Sequence, residues 1–116
     1  MIIGMLRIRN EARWIERSIG SILPLCERVV VLDDHSTDGT PELCAALPKV
    51  TVYESHFEGI DESRDKQWLL EHLGATRGDW ILHIDGDEEL MAEDVRVVRG
   101  LCGAEVCAWR FKILYL

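Results

Sequence analysis

An apolar run stops abruptly in a cluster of acids in the stretch Trp80-Ile81-Leu82-His83-Ile84-Asp85-Gly86-Asp87-Glu88-Glu89. The five residues 80–84 are long enough and apolar enough to predict a buried strand. Gly86 lets the chain turn sharply between Asp85 and Asp87. Two carboxylates at the end of a strand suit Mg²⁺ or Mn²⁺, because these hard cations prefer oxygen ligands and phosphate oxygens can complete the shell. The alternative interpretation of this stretch is a solvated turn.

On both sides of this stretch, short apolar runs alternate with segments of helical periodicity. Such alternation implies βαβ crossovers, and therefore an α/β fold: a three-layer, Rossmann-like, mostly parallel sheet with helices on both faces. At 116 residues the chain fits a single domain over residues 1–116. The pattern predicts strands at 1–8, 28–32, 50–53, 80–84 and 106–116, and helices at 12–23, 41–47, 63–73 and 92–101, with Thr40 capping the second helix.

Three of the predicted strands end in polar residues. Open α/β sheets bind ligands where the strands deliver their carboxyl ends, so these residues are expected to meet at one edge. Acids gathered at one edge repel one another unless a cation or hydrogen-bond donors offset their charge. The sequence therefore predicts a ligand site formed by Arg9-Asn10-Glu11, Asp33-Asp34 and Asp85-Gly86-Asp87.

Composition excludes several classes of protein. The net charge is −8, with 21 acids against 13 lysines and arginines, which argues against nucleic acid or anionic lipid as a partner. The four cysteines form no C-x-x-C pair, so free buried thiols are expected and not a zinc or redox site. No run approaches the ~20 apolar residues of a membrane span, and residues 1–6 lack the basic leader of a signal peptide. We expect a cytoplasmic protein.

Other motifs fit less well. Residues 34–39 imitate the start of an EF-hand loop, but the twelfth position is Ala45 where a bidentate Glu is needed. No G-x-G-x-x-G or G-K-[ST] occurs. A receiver-like phosphoacceptor domain stays a competitor, although its acid pair is expected after the first strand. His83, inside an apolar run, is interpreted as a core or sheet-face histidine.

The order of these motifs resembles a known family. The chain looks like the N-terminal part of family 2 glycosyltransferases with the GT-A fold. Three segments carry this resemblance: a first strand ending in Arg-Asn-Glu, a second strand ending in the segment 33–40, and the segment 78–88. The resemblance covers nearly all of the chain. It implies binding of a nucleotide-diphosphate sugar, with UDP favoured, together with Mn²⁺ or Mg²⁺, and inverting transfer of the sugar to an acceptor that the sequence does not identify.

The resemblance also implies roles for individual residues. Asp33 and Asp34 match the acids that hydrogen-bond the base, with Ser36 beside them. Arg64 matches a helix arginine near the base. Asp85-Gly86-Asp87 is similar to the DxD motif, in which the first acid meets the ribose or the metal and the second ligates the metal. The loop that lines the nucleotide corresponds to Arg9, Asn10 and Glu11.

The chain departs from the family pattern in two places. The family's A-R-N is here Ser63-Arg64-Asp65. The acceptor-binding half, with its general base, is expected to be missing, so no catalytic base is assigned and a non-catalytic nucleotide-sugar-binding or regulatory module is an alternative. The apolar run 106–116 would then form an exposed strand, which predicts a homodimer or higher oligomer that light scattering can test.

Overall fold

The computed structural model describes residues 1–103 and 108–109. Its centre is a sheet of four strands in the order β3-β2-β1-β4, and all three neighbouring pairs are parallel. The strands are β1 (Ile2–Ile8), β2 (Arg28–Asp33), β3 (Val50–Glu54) and β4 (Trp80–His83). The helices are α1 (Ile15–Ile22), α2 (Thr40–Ala45), α3 (Glu62–His72) and α4 (Val95–Leu101), and a 3₁₀ turn at Ala92–Asp94 precedes the last.

Alternate residues of each strand point to opposite faces of the sheet, and each face carries its own hydrophobic core. On one face Leu6 and Ile8 of β1 pack with residues of α1, α2 and α4. On the other face Ile3 and Met5 of β1 pack with Leu69 of α3. This arrangement confirms the predicted three-layer α/β fold for the part of the chain that the structure describes.

Most element boundaries agree with the sequence to within one or two residues, but α1 and α4 each begin three residues later than predicted, and a 3₁₀ turn occupies the three residues before α4. The first helix begins at Ile15, not at 12, because the amides of Trp14 and Ile15 both donate to the carbonyl of Glu11 and form a turn there. Thr40 does not cap α2. It is the first residue of that helix, after Gly39 in the left-handed region (φ 87°), because its hydroxyl is bonded to Asp38 and Glu11.

Cys26, Cys44 and Cys102 are free thiols, as expected, but Cys102 is only partly buried. Burial raises the pKa of Cys26 to about 11 and that of Cys44 to about 12. No helix among the described residues is long and apolar enough to cross a membrane. Cys107 and the predicted strand 106–116 lie outside the described residues. The oligomer and the single-domain boundary therefore stay predictions.

Close packing of α1 on the sheet depends on a glycine in β1. A Cβ atom on Gly4 would lie 3.0 Å from Cδ1 of Ile22, 3.0 Å from Cγ2 of Val29 and 3.3 Å from Sγ of Cys26. All three neighbours are fully or almost fully buried and cannot move aside into solvent. The residue at position 4 therefore sets how closely α1 approaches β1 and β2.

We expect Gly4→Ala to lower the free energy of unfolding by about 1–3 kcal/mol, because overpacking a dense core forces side chains off their rotamers. Gly20→Ala is the matched control. Gly20 lies on the exposed side of α1 with nothing within 4 Å of its added Cβ, so alanine should stabilise the helix by about 0.5–1 kcal/mol. Urea unfolding measures both, and equal effects would contradict the packing argument.

Candidate active site

Hydrogen bonds join the loop after β1 to the loop after β2. The amide of Asn10 donates to Oγ of Ser36 at 2.8 Å, and the amide of Thr37 donates to Oδ1 of Asn10 at 2.8 Å. The amide of Glu11 donates to Oγ1 of Thr40 at 2.9 Å. Asn10 has a φ of 51°, a left-handed conformation that asparagine tolerates better than most residues. These bonds hold the backbone after Arg9 in place at the carboxyl edge of the sheet.

Asp33 shapes this edge from the side of α1 and α2. Its side chain is buried, and its two carboxylate oxygens accept hydrogen bonds from the hydroxyl of Ser36 (2.6 Å) and the amide of Ser36 (3.0 Å). Oγ of the same Ser36 also accepts the hydrogen bond from the amide of Asn10. The predicted site residues Asp33, Ser36 and Asn10 are therefore connected in one chain of hydrogen bonds.

Asp34 belongs to a buried ionic network on the opposite face of the sheet, beside α3. Its Oδ2 atom accepts a hydrogen bond from Arg7 at 2.5 Å, and its Oδ1 atom is bonded to Nδ1 of His35 at 2.8 Å. Nε of Arg7 donates to Oδ2 of Asp65 at 3.0 Å. Because Asp34 and Asp65 are both almost completely buried, Arg7 connects β1, the end of β2 and α3 through charges shielded from water.

Sequence reasoning missed Arg7 and Asp65. Arg7 stands inside an otherwise apolar strand, and Asp65 replaces the Asn of the family pattern. Each is unremarkable alone, but together they offer complementary charges, which is the signal that could have found them. Their partnership spans 58 positions in the chain, so only the fold brings them into contact.

Arg64 closes the loop before α3 and does not line the cleft formed around Glu11, Asp85 and Asp87. It donates to the carbonyls of Glu58 (3.1 Å) and Gly59 (3.0 Å), and it donates to Oδ1 of Asp65. Its guanidinium carbon also lies 4.4 Å from the ring centre of Phe57. Arg64 thus ties the start of α3 to the loop that precedes it.

The structure brings four of the predicted site residues together around one cleft of about 250 Å³. Glu11, Asp85 and Asp87 give the cleft an acidic part, whereas Arg7 and Arg9 provide positive charge. Arg9 is half-exposed, and its Nη1 atom lies 3.8 Å from Oδ2 of Asp34. The complete lining consists of Arg7, Arg9, Glu11, Glu62, Lys66, Asp85, Gly86 and Asp87.

The backbone of the acidic turn after β4 is held from two sides. The amide of Asp85 donates to Oε1 of Glu88 at 2.7 Å, and Ser18 of α1 donates its hydroxyl to the carbonyl of Asp85 at 3.1 Å. The side chains of Asp85 and Asp87 are left exposed.

The chain turns at Gly86 as expected, with the amide of Glu88 donating to the carbonyl of Asp85 at 3.1 Å, but the need for a glycine there is spatial. The φ angle of Gly86 is not positive, so its conformation does not require glycine. A Cβ on Gly86 would lie 2.9 Å from Cγ of Glu11 and 3.2 Å from Cγ2 of Ile8. A glycine is needed because the turn approaches the end of β1 so closely.

Negative charge is concentrated at Glu11. Partial burial raises the pKa of its carboxyl above the ordinary value of 4.5, and the nearby carboxylates of Asp87, Asp38 and Asp85 raise it further. Within the described residues no three His, Cys, Asp or Glu side chains are arranged to hold a metal ion by themselves. The exposed carboxylates are nevertheless the oxygen donors that Mg²⁺ and Mn²⁺ prefer.

Comparison with known proteins agrees with this geometry. The family model described as "Glycosyl transferase family 2" matches residues 7–101. The chain therefore belongs to glycosyl transferase family 2, and its four-stranded parallel sheet with helices on both faces is the α/β fold that the resemblance implied.

Individual relatives give the same assignment. The chain is 33% identical over 85 residues to an uncharacterized glycosyltransferase of Rickettsia bellii, covering 73% of this chain and 27% of that protein. It is 35% identical over 91 residues to the succinoglycan biosynthesis protein ExoO of Rhizobium meliloti, covering 75% and 25%. The chain spans about a quarter of the length of these curated relatives.

We expect Asp65→Ala to cost about 3–5 kcal/mol of stability, because it leaves the buried charge of Arg7 without one of its partners. Asp65→Asn keeps a hydrogen-bond acceptor and should cost less, about 1–3 kcal/mol. Glu71→Ala, at an exposed position of the same helix, should change stability by no more than about 0.5 kcal/mol. Urea unfolding measures all three, and a loss for Asp65→Ala as small as that of Glu71→Ala would disprove the structural role of the network.

We expect Glu11→Gln to stabilise the protein at pH 7 but not at pH 4. A carboxyl whose pKa is raised by folding binds protons more tightly in the folded state, so its ionised form opposes folding above the raised pKa. That penalty disappears as the pH falls below 4.5, where the carboxyl is protonated in both states. Urea unfolding of parent and variant across this range tests the sign, and a stability difference that does not change with pH would contradict it.

Proposed function

We propose that this chain is the donor-binding part of a glycosyltransferase that binds a nucleotide-diphosphate sugar, UDP-linked by preference, together with Mn²⁺ or Mg²⁺, and transfers the sugar to an acceptor with inversion. The observation that carries the proposal is the cleft in which Asp85, Asp87 and Glu11 lie beside Arg7 and Arg9. Such a cleft has complementary charge for a diphosphate and for its cation at the same time.

In this proposal Asp87, with Asp85, holds the divalent cation. Both carboxylates are exposed, and the backbone that carries them is anchored to Ser18 and Glu88. A bound cation would supply neutralisation of the negative charge that develops on the leaving diphosphate as the glycosidic bond breaks. It would also offset the mutual repulsion of Glu11, Asp85 and Asp87.

The nucleoside is proposed to lie along the edge formed by Arg9, Asn10, Glu11, Asp33, Asp34, Ser36 and Arg64. The hydrogen bonds between the loops after β1 and β2 support this role, because they keep the edge ordered before any ligand binds. Asp34 already accepts from Arg7 and is bonded to His35. A base would therefore use the carboxylate lone pairs that these two partners leave available.

Membership of a glycosyl transferase family supports catalysis of sugar transfer and not ligand binding alone. The name of the Rhizobium meliloti relative refers to succinoglycan biosynthesis. A non-catalytic nucleotide-sugar-binding module would use the same cleft. Turnover of a UDP-sugar by the chain in the presence of an acceptor separates the two possibilities. The family assignment gives no support to the receiver-like phosphoacceptor.

Calorimetric titration with UDP tests the cleft. We expect binding in the presence of Mn²⁺ that weakens when EDTA removes the cation. Asp87→Asn should weaken it by about 10–100-fold, because a charged ligand to the cation is lost. Asp94→Asn removes one carboxylate at an exposed position outside the cleft and should bind like the parent.

Two results would contradict the proposal. One is failure of UDP, GDP and dTDP to bind with either Mn²⁺ or Mg²⁺. The other is an Asp87→Asn variant that binds UDP and Mn²⁺ as tightly as the parent protein does.

A further inference from the structure

Lys66 occupies an unusual position in the cleft. It lies on α3 one helical turn after Glu62, so both side chains are on the same side of the helix, and both line the cleft that contains Asp85 and Asp87. Lys66 is half-buried, although lysine is a residue type that usually stays in water. The helix therefore places a flexible positive charge across the cleft from the acidic turn after β4.

The charge of Lys66 is not neutralised in the way that the neighbouring charges are. Arg7 pairs with Asp34 and Asp65, and Arg64 pairs with Asp65. Among the described residues Lys66 takes part in no ion pair within 4.0 Å and in no hydrogen bond, and the pair with Glu62 that helical spacing allows is not formed. A half-buried ammonium without a partner in this part of the molecule is suited to an anionic ligand.

We infer that Lys66 is a phosphate-binding residue of the cleft and gives it an affinity for nucleoside diphosphates that does not require a divalent cation. The inference rests on the proposed function, since it assumes that the cleft binds such a ligand. An ammonium forms strong charge-assisted hydrogen bonds with phosphate oxygens as a compact point charge. With this role, α3 would bind the ligand in addition to the DxD-like turn and the predicted nucleoside edge.

The test is binding of UDP and of uridine in EDTA, measured by NMR titration of the whole 116-residue chain. Lys66→Gln should weaken UDP binding by about 10-fold, the equivalent of one hydrogen bond to a charged group. The affinity for uridine, which has no phosphate, should change by no more than about twofold in the same variant. Lys66→Arg should restore most of the affinity for UDP, because it restores the charge.

Arg77→Gln is the control, because it removes one positive charge at an exposed position outside the cleft. It should leave both ligands unaffected, and thermal melting should show that every variant folds. The inference is overturned if the Lys66→Gln variant binds UDP as tightly as the parent does, or if the substitution weakens uridine binding as much as UDP binding. If the parent binds UDP neither with Mn²⁺ nor in EDTA, the proposed function fails and this inference fails with it.

Discussion

The pairing of Arg7 with Asp34 and Asp65 is the interaction on which the remaining architecture of the site depends. Removing carboxylates from water costs several kcal/mol for each ion, so two buried aspartates persist at this place only because cations and donors satisfy them. Among the described residues no buried side-chain nitrogen or oxygen lacks a partner. The result is a rigid junction of β1, β2 and α3 directly behind the cleft.

The carboxylates of this edge fall into two groups with different roles. Asp33, Asp34 and Asp65 are buried and bonded to other protein groups by hydrogen bonds or ion pairs, so they determine the shape of the loops. Asp85 and Asp87 are exposed and line the cleft, and their carboxylates have no such partner among residues 1–103 and 108–109. Folding therefore uses the first group to build the scaffold, and it leaves the second group available for a ligand. This separation explains how an acidic chain can keep so many acids at one end of a sheet.

Much of this arrangement could be predicted from the sequence because parallel strands obey a simple rule. Their carboxyl ends share one edge, so Arg9, Glu11 and the turn at Asp85–Asp87 were expected to meet, and they do. The roles of Arg7, Asp65 and Lys66 could not be predicted in the same way. Each depends on where α3 lies against the sheet, and neither strand periodicity nor helix periodicity specifies that position.

The amino-acid sequence is enough to predict the α/β class, the elements and the edge that carries the polar residues, because these follow from local periodicity and from the geometry of βαβ units. The positions of the elements in space determine which of these acids are buried and bonded within the protein and which are exposed at the cleft. They also determine that Gly86 is required by the closeness of Glu11, and that Lys66 faces the cleft without a partner in the described residues. The physical reason is that burial and charge pairing depend on distances between residues far apart in the chain.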